Sequence, residues 1–319
     1  MEGAAPLAES DEFVNDRRRV NALLEGRLPF SKGLMAQTLM GIGLSPERAF
    51  ELARLVEREV AGGLKIRSSA VLDVVAGVLA DHEGERAFRR FRALRTLLEE
   101  DVPLIVLVGG ATGTGKSTLT TEVAHRLGIT RVTSTDLIRQ TMRAFFSKDV
   151  MPSIHYSSFE TGQALAEAGD ASSDDRNLRG YAEQTRNVLV GVRAVLERAL
   201  TERHSLALEG VHLGPGLVPS RLDGAVVFQC VLMIEDPEGH AANFRLRDAA
   251  SDGLRPMPKY LRALPDIRRI QDYLVARAEE AGVPVIESSS LENGVEKVVS
   301  YLLAEVESMQ ETTMDLAVS

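Results

Sequence analysis

Hydrophobic positions follow two different patterns along the 319 residues of this chain. Up to about residue 100 they recur every three or four positions, which is the spacing of amphipathic helices. After Pro103 the pattern changes to short apolar runs separated by helical segments. Runs of this length between helices are typical of strands in a parallel sheet that is covered on both faces. The five runs lie at residues 103–108, near 130–134, and at 205–209, 225–234 and 283–287.

Caps and glycines divide the first part of the chain into four predicted helices, the first over residues 31–40. The second begins with Ser45 as its N-cap and Pro46 at its first position, which suits a helix N-terminus. A third follows Ser68 or Ser69, and a fourth spans about residues 83–100. We therefore predict a small, mostly helical domain over residues 1–85 and an α/β domain with a five-stranded parallel sheet over residues 86–319. The predicted buried face of the second helix consists of Ala49, Leu52, Ala53 and Val56.

The composition narrows the classes of function. A net charge of −9 argues against general binding to nucleic acid or to an anionic membrane surface. No apolar run reaches the roughly 18 residues of a membrane span. Residues 1–16 lack the basic-then-apolar pattern of a signal peptide, so we expect a cytoplasmic protein. The single cysteine, Cys230, lies in an apolar run, which predicts a buried thiol rather than a nucleophile.

The clearest chemical signal is a glycine-rich segment directly after the first predicted strand. Residues 110–117 match the phosphate loop G-x-x-x-x-G-K-[ST], and a helical pattern follows them. In this motif, backbone N–H groups at a helix N-terminus surround the phosphates of a nucleotide. Lys116 is expected to contact the β- and γ-phosphates of ATP, and Ser117 is expected to hold Mg²⁺. The candidate nucleotide-binding residues are Gly110, Thr112, Gly113, Thr114, Gly115, Lys116, Ser117 and Thr118.

Charged residues follow the second predicted strand, at the edge where open α/β sheets bind their ligands. Asp136 could orient or deprotonate an acceptor hydroxyl, and Arg139, one helical turn later, could bind an adjacent anion. The alternative is that Asp136 caps the helix and Arg139 is a solvated surface residue; we expect the cap in either case. Further candidates for contact with the acceptor are Arg143 and three residues that would otherwise be local caps, His155, Ser157 and Ser158.

Two later segments carry further candidate groups. Glu209 ends the third predicted strand and could hold Mg²⁺ or bind a substrate hydroxyl, unless it is an incidental turn residue. Arg245 and Arg247 precede a loop with more cations, and kinase lids carry such arginines to neutralise charge on the transferred phosphoryl group. An exposed basic helix face is the alternative for these arginines. The other cations of this predicted lid are Arg255, Lys259 and Arg262.

In their order along the chain, these motifs resemble those of the 2-phosphoglycerate kinase family. The resemblance rests on the phosphate loop and on residues 29–33, 134–139, 155–158, 209–212 and 267–273. It implies a P-loop kinase fold and transfer of a phosphoryl group from ATP to the 3-hydroxyl of 2-phosphoglycerate, giving 2,3-bisphosphoglycerate. It also adds His212 to the candidate substrate contacts. Residues 29–59 resemble the second half of an ATP-cone, so the resemblance implies an ATP-cone-like N-terminal domain.

The resemblance implies a small phosphorylated acid as substrate, and it leaves homo-oligomer formation open. No nucleic-acid or membrane partner is expected. One alternative is a P-loop kinase that acts on another acceptor, a nucleotide-sugar or an RNA end, although the overall acidity disfavours RNA. Another alternative is a non-enzymatic ATP-sensing regulator, which the complete set of candidate catalytic residues disfavours.

Overall fold

The structure, a computed structural model, describes residues 16–25, 27–62, 69–99, 102–167, 169, 175–250, 257–287 and 290–318. The chain forms two compact units. The first unit comprises residues 1–99 together with the short segment Arg126–Thr130. The second comprises residues 100–125 and 131–319, and it contains the phosphate loop.

The described part of the first unit is helical, as predicted. Ser45 Oγ accepts a hydrogen bond from the backbone N–H of Arg48 at 3.3 Å, which confirms the predicted cap. The four residues of the predicted apolar face are fully buried. The third and fourth predicted helices together make up one element, in which Gly84, with φ of 77°, interrupts the helical backbone. Ser68 lies outside the described residues. The helices are α1 Asp16–Leu24, α2 Lys32–Met40, α3 Pro46–Gly62 and α4 Ser69–Glu99.

The second unit is built on a five-stranded sheet, and each predicted apolar run forms one of its strands. All neighbouring strands are parallel, in the order β2-β3-β1-β4-β5. The prediction of an α/β fold with a five-stranded parallel sheet is therefore confirmed. The strands are β1 Leu104–Gly110, β2 Arg131–Ser134, β3 Leu206–Gly210, β4 Val226–Met233 and β5 Val285–Glu287.

Helices cover both faces of this sheet. Val188 and Val192 of the long helix α8 (Arg176–Thr201) pack in a buried cluster with Leu107 on one face. Ile267 and Leu274 of α11 (Leu264–Ala281) pack on the same face, against Val231. Val106 and Val108, which point to the opposite face, are also fully buried. Within the described part of the chain, no helix is long and apolar enough to cross a lipid bilayer. The helices of this unit are α5 Lys116–Arg126, α6 Thr135–Phe145, α7 Gly162–Glu167, α8 Arg176–Thr201, α9 Pro237–Ala250, α10 Met257–Arg262, α11 Leu264–Ala281 and α12 Leu291–Val318.

The central strands bring the candidate residues to one edge of the sheet. In the register of the sheet, Glu209 of β3 lies beside Val108 of β1 and Ser134 of β2. The phosphate loop and the start of α6 therefore begin next to the same carboxylate. Cys230 is fully buried in β4, and burial raises the pKa of its thiol to about 12. The prediction of a buried core thiol is confirmed.

Candidate active site

The phosphate loop joins the carboxyl end of β1 to the first turn of α5. Gly113 and Gly115 have φ of 90° and 83°, in the left-handed region that favours glycine. Thr114 Oγ1 donates a hydrogen bond to the carbonyl oxygen of Ala111 at 3.0 Å, which closes the turn. The loop therefore has the backbone conformation and the helix N-terminus that an anionic phosphate group requires.

Lys116 begins α5, and its side chain extends back over the loop. It is 8% exposed, and Nζ donates a hydrogen bond to the carbonyl oxygen of Ala111 at 2.7 Å. Burial lowers the pKa of the ammonium group, whereas the carboxylates of Glu209 and Asp136 raise it. Bound phosphate groups would offset the cost of burying this cation, because an adjacent negative charge favours the protonated form.

Ser117 and Glu209 together form a pair of oxygen donors beside the loop. Ser117 Oγ donates a hydrogen bond to Glu209 Oε1 at 2.9 Å. A hydroxyl and a carboxylate are ligands that Mg²⁺ prefers. Among the described residues, no group of three or more acidic, histidine or cysteine side chains is placed to hold a metal. A Mg²⁺ ion at this pair would therefore take its other ligands from phosphates and water, as Mg²⁺ usually does.

Asp136 lies in the first turn of α6, directly after β2. The prediction that it caps this helix is wrong, because Ser134 is the N-cap and its Oγ accepts a hydrogen bond from the N–H of Leu137 at 3.1 Å. Serine two positions earlier has the same capping chemistry as aspartate. The side chain of Asp136 remains 69% exposed, with one carboxylate oxygen 3.3 Å from Arg139 Nη2. This carboxylate is therefore accessible to a substrate.

Arg139 connects Asp136 with the loop that follows α6. Its Nε and Nη2 approach Asp136 Oδ1 at 3.4 and 3.3 Å, and its Nη1 donates to the carbonyl oxygens of Ile154 and Tyr156 at 3.0 and 3.1 Å. The side chain is only 15% exposed, so the alternative of a solvated surface residue is wrong. Binding of a substrate anion by Arg139 stays a prediction, since the anion would share or replace these partners.

The remaining residues predicted to contact the acceptor lie on α6 and in the loop after it. His155 Nε2 lies 2.9 Å from the carbonyl oxygen of Phe146, so this nitrogen carries the proton and donates a hydrogen bond to the C-cap of α6. Ser158 is buried and Ser157 is half-buried, whereas Arg143 is exposed on α6. Contact between these four side chains and a substrate stays a prediction.

His212 lies beneath the site, where it is fully buried. The Gln184 amide nitrogen donates to the carbonyl oxygens of Ser153 and Tyr156 at 2.6 and 2.9 Å. The Gln184 amide oxygen therefore faces His212 Nε2 at 3.0 Å and accepts a hydrogen bond from its N–H. Nδ1 then accepts a hydrogen bond from the Thr135 hydroxyl at 2.8 Å. Burial lowers the pKa of the ring to about 3, which favours this neutral form.

This hydrogen bonding leaves His212 without a ring nitrogen for a substrate. The placement argues against the substrate contact that the family resemblance implied. Instead, the ring ties the first residue of α6, Thr135, through Gln184 to the loop that also binds Arg139. His212 is therefore suited to position Asp136 and Arg139 rather than to contact the acceptor.

Three residues of α9 hold the outer side of the phosphate loop, and no sequence motif signals this role. His240 Nε2 donates to the carbonyl oxygen of Thr112 at 2.8 Å, and Asn243 Nδ2 donates to that of Gly113 at 2.9 Å. Phe244 packs so closely that a Cβ on Gly113 would lie 2.5 Å from its ring. These residues are about 130 positions from the loop, so only the folded structure brings them to it.

The predicted lid lies only partly within the described residues. Arg245 is exposed on α9, whereas the side chain of Arg247 and the whole of Arg255 fall outside what the structure describes. Lys259 of α10 forms an ion pair with Glu160 Oε2 at 2.8 Å. Contact between these cations and a transferred phosphoryl group stays a prediction.

Three features define the class of protein, which is a P-loop kinase. They are the order of the strands in the sheet, the phosphate loop after β1 and the carboxylate at the end of β3. The chain is 34% identical to 2-phosphoglycerate kinase of Methanopyrus kandleri over 278 residues, 86% of this chain and 84% of that protein. It is 35% identical to 2-phosphoglycerate kinase of Thermococcus kodakarensis over 285 residues, 89% of this chain and 96% of that protein. It therefore belongs to the 2-phosphoglycerate kinase family, which confirms the resemblance and the prediction of a phosphotransferase.

The chain was also compared with family models and with solved structures. No family model matches the chain. A gluconokinase structure from Sinorhizobium meliloti 1021 aligns with a TM-score of 0.39 and 15% identity, covering 66% of this chain and 98% of that one.

Proposed function

We propose that this chain transfers the γ-phosphoryl group of ATP to the 3-hydroxyl of 2-phosphoglycerate, giving ADP and 2,3-bisphosphoglycerate. The relatives from M. kandleri and T. kodakarensis are named for this acceptor. The observation that carries the proposal is the convergence of one buried cation and three oxygen-bearing side chains at one edge of the sheet. These residues are Lys116, Ser117, Asp136 and Glu209.

The nucleotide side supplies positioning and charge. Backbone N–H groups of residues 112–117 surround the phosphates, and Lys116 places a positive charge against the β- and γ-phosphates. Ser117 and Glu209 would hold Mg²⁺. When bound, this ion neutralises negative charge on the phosphate oxygens.

The acceptor side supplies a base and its alignment. Asp136 accepts the proton of the 3-hydroxyl while the new bond from that oxygen to the γ-phosphorus forms and the bond to the leaving ADP oxygen breaks. Such a transition state is loose, so the orientation of the hydroxyl contributes more than early removal of its proton. Arg139 fixes the Asp136 carboxylate through its contacts at 3.3 and 3.4 Å. Arg245 and Arg247 are proposed to approach the transferred group from the lid.

A comparison of three C3 acids in an ADP-release assay tests this function. 2-Phosphoglycerate carries a phosphate, a carboxylate and a free hydroxyl, whereas phosphoenolpyruvate keeps both anionic groups and lacks the hydroxyl. 3-Phosphoglycerate carries the same groups with the phosphate and hydroxyl exchanged. We expect the highest kcat/KM with 2-phosphoglycerate and competitive inhibition without turnover by phosphoenolpyruvate. Equal turnover with 3-phosphoglycerate, or ADP release that does not depend on any acceptor, would contradict the proposal.

A further inference from the structure

A charged cleft of about 520 Å³ lies in the second unit, between the segment after the 3₁₀ turn Pro152–His155 and the helices α10 and α11. Its volume is within the range of small-molecule sites, about 300–1,000 Å³. Four cationic and two anionic side chains line it, and in a chain of net charge −9 this local excess of cations indicates an anionic ligand. These charged residues are Glu160, Arg176, Lys259, Arg262, Asp266 and Arg269.

A continuous series of aromatic rings connects the cleft with the phosphate loop. Phe159, which lines the cleft, makes an edge-to-face contact with Tyr260 at 5.7 Å between ring centroids. Tyr260 in turn stacks on Phe244 at 5.1 Å, and Phe244 packs on Gly113 of the loop. The cleft is therefore bordered by the acceptor-side segment, and three aromatic side chains in series connect it to the nucleotide side.

Arg139, the least exposed cation among the predicted acceptor residues, has little capacity left for the charge of a phosphorylated acid. Arg139 already uses its guanidinium on Asp136 and on two backbone carbonyl oxygens. By contrast, Arg262 and Arg269 are exposed, and within the described residues neither forms an ion pair. Planar guanidinium groups at such a position suit bidentate binding of phosphate and carboxylate groups.

We infer that this cleft binds the phosphate and carboxylate groups of the acceptor, with Arg262 and Arg269 as charged contacts. The inference rests on the proposed function and deepens it, because it assigns the acceptor's anionic groups to residues outside the Asp136–Arg139 pair. The acceptor then lies between the cleft and Asp136, with its hydroxyl directed toward the phosphate loop.

The ion pair between Glu160 and Lys259 leads to a second prediction, in which a substitution strengthens rather than weakens binding of the acceptor. Glu160 Oε2 lies 2.8 Å from Lys259 Nζ, and both residues line the cleft. The Glu160 carboxylate therefore competes with an anionic ligand for the same ammonium group. Removal of its charge in Glu160→Gln should strengthen binding of the acceptor, which a purely structural role of this pair does not predict.

Steady-state kinetics on single variants of the full chain tests the inference. Arg262→Ala and Arg269→Ala should each raise the KM for 2-phosphoglycerate about 10- to 100-fold, the loss expected for one charged hydrogen-bonding partner, and leave the KM for ATP nearly unchanged. Glu160→Gln should lower the KM for 2-phosphoglycerate about two- to fivefold. Arg193→Ala is the matched control, since Arg193 is an exposed arginine of α8 that does not line the cleft, and its constants should match those of the wild type.

Calorimetric titration of the same proteins with 2-phosphoglycerate separates failure of the inference from failure of the proposed function. If the wild type binds 2-phosphoglycerate but does not phosphorylate it, weaker binding by both arginine variants still supports the cleft. If both variants are folded and retain wild-type affinity, the inference is wrong even when the kinase activity is confirmed. A change in kcat with unchanged acceptor KM and Kd would indicate an effector site and would also overturn it.

Discussion

The two sides of the candidate active site are built in different ways. The phosphate-binding part of the nucleotide side is one continuous segment, residues 110–118, whose turn is formed by its own glycines and a hydrogen bond from Thr114 and is held from outside by side chains of α9. The acceptor side is assembled from separate segments that Arg139, Gln184 and His212 join by hydrogen bonds. A local sequence can therefore specify the turn of the phosphate loop, whereas the acceptor side depends throughout on contacts between distant segments.

This difference indicates how each side will respond to substitution. On the nucleotide side, the phosphates are proposed to contact backbone groups and Lys116, so the loss of this one side chain should affect transfer directly. On the acceptor side, several residues act through Asp136 and the loop after α6. Their substitution should separate acceptor kinetics from ATP kinetics.

The largest effect is expected for Lys116→Ala. Its buried ammonium group is the cation nearest the loop, so without it transfer should fall to the background of the assay while the circular dichroism spectrum stays native. Lys297→Ala is the control, because Lys297 is a partly exposed lysine of α12, which carries none of the candidate site residues. Substantial turnover by a folded Lys116→Ala protein would contradict the assignment of the nucleotide side.

Asp136→Asn should lower kcat about 10²- to 10⁴-fold, the usual range for loss of a general base. Because Ser134 rather than Asp136 caps α6, the variant should lose little stability. ATP affinity, measured by calorimetry without acceptor, should be nearly unchanged. A weaker affinity for ATP–Mg²⁺ would instead place Asp136 on the metal, and a wild-type kcat would transfer the role of base to Glu209.

Arg139→Ala should lower kcat/KM for the acceptor about 10- to 100-fold, with the KM for ATP nearly unchanged. The expected cause is loss of the contacts that align Asp136 and the loop carbonyls. Arg139→Lys keeps the charge but lacks the planar donor arrangement, so it should recover only part of this loss. Equal losses for acceptor and ATP would show that Arg139 supports the whole site rather than its acceptor side.

The smallest expected effect is on the free energy of unfolding, and it comes from the titration of His212. Burial lowers the pKa of this ring to about 3 in the folded protein, from 6.5, while the charges of Asp136, Arg139 and Lys116 act on it in both directions. The unfolded chain therefore binds more protons below pH 6.5, and the free energy of unfolding should fall as the pH decreases from 6.5 toward 3. Between pH 7 and pH 5 the expected loss is about 2 kcal/mol.

Denaturant unfolding of wild type and His212→Gln at pH 7 and pH 5 measures this contribution. His240 titrates in both proteins, so the difference between their pH dependences isolates His212. The variant should be less stable at pH 7 and should lose less stability on acidification. Parallel pH dependences in the two proteins would mean that His212 is not held neutral by burial.

The sequence was most informative where structure is local. All five strands and the phosphate loop were predicted, because short apolar runs and the spacing of glycines are visible in contiguous residues. The cap of α6 was assigned to Asp136 instead of Ser134, because both side chains have capping chemistry and only the backbone geometry distinguishes them.

Contacts between distant segments were not predictable in the same way. No periodicity indicates that Asn243 and Phe244 hold Gly113, or that His212 bonds to Thr135 and Gln184. The charged cleft likewise combines residues between β2 and β3 with helices that follow β4. Such sites depend on the path of the chain through the sheet, which a single sequence pattern does not contain.

In the proposed function, the two sides of the site meet where the γ-phosphoryl group of ATP is joined to the acceptor hydroxyl. Phosphorus NMR of the wild-type reaction with ATP, Mg²⁺ and 2-phosphoglycerate follows this transfer. ADP and a bisphosphorylated C3 acid should accumulate in equal amounts, with no release of inorganic phosphate. Formation of ADP together with inorganic phosphate, while 2-phosphoglycerate remains intact, would contradict the proposed function.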